Sequence, residues 1–159
     1  MSYMRSVRDC DEKLLAAIGS IVLESAYLEA TITQLLNLLA QLDEQTSRVF
    51  ISKRVMLDRK MQIVRELAEF RLPPDQCKKL KEIIDRLTKT NSARTLAVHG
   101  IWRIEIYAPP FLGPFAFQPT ARKPDRRDHL TPQKAHQIAQ QISDDRWQLL
   151  ALFPELCQE

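Results

Sequence analysis

The chain has 159 residues, 45% hydrophobic and 27% charged, with a formal net charge of +3 and an isoelectric point near 8.8. That length supports one domain with a true core, burying roughly 70% of its unfolded surface, and the composition is that expected of an ordinary soluble globular protein. The mild basicity permits a nucleic-acid partner but falls short of a protein that coats a duplex.

The N-terminal stretch "MSYMRSVRDCDEK" has no apolar run of signal-peptide type. No apolar run approaches the ~20 residues of a bilayer crossing, so a cytoplasmic protein with no membrane partner is expected. From Leu14 the apolar positions step by three and four through Ile18, Ile21, Leu28, Ile32, Leu35, Leu39 and Leu42, with Ser25 the one gap. This is the seam of a long helix packed nearly antiparallel on its neighbours. At ~30 residues it would extend about 45 Å.

A second helix is expected from about 46 to 70, with Phe50, Leu57, Met61, Val64 and Ala68 on one stripe and Arg54, Arg59, Lys60 and Arg65 mostly off it. It ends before "RLPPDQ", because Pro73 biases Leu72 out of helical geometry and Pro74 lacks an amide hydrogen. A third helix starts near Pro74 or Asp75, since prolines and acids favour a first turn.

After Gly100 the period shortens to two. In "IWRIEIY", Trp102, Ile104 and Ile106 share one face, which predicts a strand. "APPFLGPFAFQP" then suits a small hairpin whose prolines confine it to an edge. "TARKPDRRDHL" follows as a polar loop, and Thr131 and Pro132 read as the N-cap and first position of a fourth helix. Its apolar face of Ala135, Ile138, Ile142, Leu149, Leu150 and Phe153 is expected to stop at Pro154. The expected fold class is therefore mainly α: an antiparallel four-helix bundle with a small β-hairpin between the third and fourth helices, residues 1–159 forming a single domain.

Cys10, Cys77 and Cys157 are odd in number and lack CxxC spacing, which suggests neither a disulfide framework nor a zinc site. His129 and His136 have no Cys or carboxylate at ligand spacing. No metal or other cofactor is expected. Trp102, Phe115, Phe117 and Trp147 fall on apolar faces at their local periods and read as core or interface.

The third helix carries the unusual chemistry. Its seam of Leu80, Ile84 and Leu87 continues by three and four to Asn91, Arg94 and Val98, so two polar side chains replace apolar ones. Around the helix, with Asn91 at zero, Arg94 lies at about −60°, Val98 at −20°, Thr95 at +40° and His99 at +80°. An unpaired guanidinium buried there would cost several kcal/mol, so this sector faces a partner carboxylate, a water-filled cleft or an anion. His99 sits in the last turn, where Gly100 suits the left-handed cap and the free carbonyls favour a protonated imidazole. Glu24 and Glu29 flank the seam of the first helix as candidates to pair with Arg94 or His99. Arg122, Lys123, Arg126, Arg127 and Lys134 form a basic stretch able to track an RNA backbone, diluted by Asp125 and Asp128.

"ARTLAVHGIW" resembles the R-x4-6-H motif of the HEPN superfamily, in particular bacterial members whose motif helix ends in His-Gly before a Trp-containing strand. The likeness extends to a long first helix with "LESAYLEA", a basic second helix and a closing fourth helix. The resemblance implies a helical bundle that forms a homodimer around the motif helices. It also implies, in active members, a metal-independent RNase of the toxin or defence type, working beside an antitoxin or partner protein. Arg94 and His99 would be the catalytic pair, with Asn91 and Thr95 orienting phosphate or imidazole. The residue after the motif Arg is usually Asn, Asp or His, and Thr95 departs from that pattern. The same frame therefore also accommodates an inactive RNA- or nucleotide-binding module or a structural helical adaptor.

Overall fold

The computed structural model describes residues 12–52, 55–99, 101–103, 115–117 and 128–156. The chain is mainly helical. Helix α1 (Glu12–Ala40) is followed by the single turn α2 (Glu44–Ser47), then α3 (Leu57–Arg71), α4 (Pro74–His99) and α5 (Pro132–Leu156). Between α4 and α5, the short strands β1 (Ile101–Arg103), β2 (Phe115–Phe117) and β3 (Asp128–His129) pair antiparallel in that order. Ile101 stands opposite Phe117, and Phe115 opposite His129.

Helix α1 packs against α3 and α5, α4 packs against the same two helices, and α1 also touches α4. The stripe foreseen on α1 is the one buried: Leu14, Ile21, Leu28, Ile32, Leu35 and Leu39. Each such side chain contributes about 1.5–3 kcal/mol by leaving water. Ser25 fits this stripe because its hydroxyl donates to the Ile21 carbonyl at 2.6 Å, which satisfies a buried polar group inside its own helix. By length and composition, with a mean hydropathy of 1.4, α1 does meet the requirement for a bilayer-crossing helix. This corrects the expectation that no segment approaches it. In the fold its apolar stripe is covered by α3 and α5.

The end of α1 shows how the chain turns. Gln41 takes a left-handed φ of 54°, while its amide donates to the Leu38 carbonyl and that of Leu42 to the Asn37 carbonyl at 2.9 Å. This is a Schellman closure with glutamine in the place glycine usually holds, and Leu42 tucks against the core beyond it. Asp43 then starts α2 by accepting from the Thr46 amide and hydroxyl at 2.8 and 2.6 Å. The Thr46 hydroxyl, followed by the amide, holds the Asp43 carboxyl below its ordinary value.

The expected second helix from 46 to 70 is in fact divided. After α2 the backbone winds wider over Arg48–Ser52 as a π-helical turn, and Met56 is extended at φ −68° and ψ 155° before α3 begins. Asp43 places the start of the first piece. Val49, Phe50 and Met56 are left exposed, Phe50 by 63%, so the stripe that was to include Phe50 has no packing there to hold one continuous helix. The remaining four stripe positions, Leu57, Met61, Val64 and Ala68, are buried as read. Helix α5 also differs at its end, running past Pro154 to Leu156. Its start is as read, with the Thr131 hydroxyl accepting from the Lys134 amide at 3.2 Å.

Lys60, read as off the stripe, is 1% exposed. It lies three residues beyond Leu57, at the edge of the apolar stripe, and donates to Glu29 at 2.8 Å and Thr33 at 3.1 Å across the α1–α3 contact. The pair is asymmetric, since the Glu29 side chain is 47% exposed. Lys60→Met should therefore change stability by no more than about 1 kcal/mol, whereas Glu29→Ala, which removes a carboxylate from a buried ammonium, should cost about 2–3 kcal/mol. Urea unfolding of the two variants measures the difference.

Candidate functional site

The site is built on the C-terminal half of α4. Leu80, Ile84 and Leu87 are fully buried, and the stripe then passes to Asn91, only 6% exposed, and on to Ala97 at 1%. Arg94 and Thr95 are half-buried. This half of α4 contains several poor helix formers, and Thr88 and Thr90 fit by donating to the carbonyls of Ile84 and Arg86 at 2.8 and 3.1 Å. The sequence thus places an amide and a guanidinium where the α3–α4 packing would otherwise take leucines.

Asn91 reaches across to α3, where its Nδ2 donates to the Asp58 carboxylate in the first helical turn. The Asn91 Oδ1 and the Arg94 Nε are both shielded from solvent and have no hydrogen-bond partner among the described residues. Each buried polar atom left unmatched costs about 1–3 kcal/mol. One is an acceptor and the other a donor, three residues apart on one helix, where side chains are neighbours. The guanidinium suits an anion, because no carboxylate is paired with Arg94 among the described residues, whereas the Asn91 oxygen suits only a donor.

The two acids proposed as partners serve elsewhere. Glu29 pairs with Lys60, and Glu24 lies 3.5 Å from the Nε of Arg146 on α5. That guanidinium also sits over Tyr27 and Trp147, 5.4 and 4.9 Å from the ring centroids. Trp147, expected in a core or interface, is 60% exposed. His99 is the last residue of α4, and its side chain, like Gly100 and the basic residues Arg122, Lys123, Arg126 and Arg127, lies outside the described residues. Lys134 and His136 are exposed on the first turns of α5. No group of three His, Cys, Asp or Glu stands together for a metal among the described residues.

Sequence reading missed Asp58, Lys60, Arg146 and the pair Arg86–Asp145. The last is a buried link between α4 and α5, with Arg86 Nε 2.9 Å from a carboxylate that is 0% exposed. Asp145 gave a signal, since it falls three residues after Ile142 and four before Leu149 on the apolar face. Asp58 gave none, because its partner is a whole helix away. Comparison of the chain with family models, curated proteins and solved structures finds no match.

Proposed function

We propose that the chain is a HEPN-type endoribonuclease, a cytoplasmic homodimer that cleaves single-stranded RNA without a metal and acts as a toxin or defence effector. In this reading α1, α3, α4 and α5 form an antiparallel four-helix bundle with a small hairpin after α4. The observation that carries it is the unmatched, shielded Arg94 Nε on the α4 stripe beside the buried Asn91. A guanidinium held this way supplies a bidentate donor for a scissile phosphate and offsets charge building on its oxygens.

His99 moves a proton to or from the ribose 2′-hydroxyl or the leaving oxygen. On an α-helix, positions 94 and 99 are about 140° apart around the axis and about 7.5 Å apart along it. In the proposed homodimer the two α4 helices pair about a two-fold axis, so that each copy contributes one such position to the cleft. The exposed Val49, Phe50 and Met56, close in sequence to the Asp58 that touches Asn91, offer apolar surface for that pairing.

The test is cleavage of single-stranded RNA in EDTA. Wild-type protein should yield fragments ending in a cyclic phosphate, and His99→Ala should remain dimeric by light scattering while losing at least about 100-fold in rate. Equal cleavage by the variant ends the proposal. Measurable RNA affinity with no product favours the inactive binding module, the reading that Thr95 supports.

A further inference from the structure

We propose that Asp58 is a positioning residue that acts through Asn91 on the guanidinium of Arg94, an inference that rests on the anion-binding reading of the site. A carboxylate only accepts hydrogen bonds, so its contact with Nδ2 fixes which way the Asn91 amide faces. The nitrogen is committed to α3 and the carbonyl oxygen is left on the α4 stripe. Among the described residues that oxygen has no partner, and neither has the Arg94 Nε one helical turn away. When a phosphate takes the two terminal nitrogens of Arg94, the Nε completes its bonding on Asn91 Oδ1. The guanidinium plane is then held by the protein on one edge and by the ligand on the other.

Asp58 is suited to this work by its place. It is exposed at the start of α3, where the helix N-terminus favours its charge, while Asn91 is shut into the packing. The carboxylate is thus held at the rim and sends its influence inward through one neutral amide. A neutral relay leaves the guanidinium its full charge, which an acid directly on Arg94 would offset.

The sign of the effect separates this role from simple electrostatics. Removing a negative charge near an anion site should tighten RNA binding, whereas losing the positioning contact should weaken it. The probe is a short single-stranded 2′-O-methyl RNA, which binds without being cleaved through the 2′-hydroxyl, titrated at low salt against the full chain. Asp58→Ala should bind about tenfold more weakly, and so should Asn91→Leu, although the leucine restores an apolar seam and should leave the melting temperature equal or higher. The double variant should be no weaker than Asn91→Leu alone, because the two residues act in series. Tighter or unchanged binding by Asp58→Ala, or losses that add in the double variant, overturns the proposal while the RNA site stands. A wild-type chain that does not bind the probe removes the RNA site itself, and the positioning role with it.

Discussion

On the proposed RNase reading, Arg94→Ala is expected to lower RNA cleavage by about 100- to 1,000-fold while leaving the helical fold intact. Removing one preorganised donor from a phosphate or oxyanion site has an effect of that size, because the donor stabilises charge that grows in the transition state. The fold survives because the guanidinium holds no carboxylate among the described residues, and its Nε is shielded and unmatched. Loss of the guanidinium relieves that desolvation, so the melting temperature should hold or rise, by about 2–4 °C for each kcal/mol recovered. Arg94→Lys is the informative companion. Lysine keeps the charge but offers a point donor in place of a planar fork, so the bidentate geometry is lost and no more than about a tenth of the activity should return. Full activity in the lysine variant would mean that charge alone is used, and unchanged cleavage in the alanine variant would remove Arg94 from the chemistry.

How much of this was legible follows from what a local pattern can and cannot carry. The stripes of α1 and α4 are periodic over about seven and about five turns, so those helices and most of their core residues could be read directly. The polar interruption at Asn91 and Arg94 could be read for the same reason, as a break in a strong repeat. The division of the second helix could not. Val49, Phe50 and Ile51 are apolar enough to extend a stripe, and only the exposure of Phe50 among the described residues shows that the repeat goes unused. Cross-helix partners were equally hidden. Glu24 and Glu29 looked available to Arg94 by position along α1, but Lys60 and Arg146 stand nearer in space and take them. Sequence spacing ranks neighbours within a helix and is silent on which cation a facing helix presents.

Arg86→Met is expected to destabilise the protein by about 3–5 kcal/mol, a larger loss than Glu29→Ala brings. Asp145 is completely buried, accepting from Arg86 Nε at 2.9 Å and from the Gln141 amide at 3.0 Å. Arg86 is 41% exposed and also donates to Gln148. Without the guanidinium the carboxylate stays in the interior with one neutral donor. The reverse change is milder, since in Asp145→Leu the cation turns to the water it already meets and a leucine joins the face of Ile142 and Leu149. That variant should lose about 1 kcal/mol, and Arg86→Met with Asp145→Leu should recover most of the loss of Arg86→Met alone. The measurement is the urea midpoint at constant slope. A loss below about 1 kcal/mol in Arg86→Met would show that solvent reaches Asp145 and that the α4–α5 contact is held by its apolar residues alone.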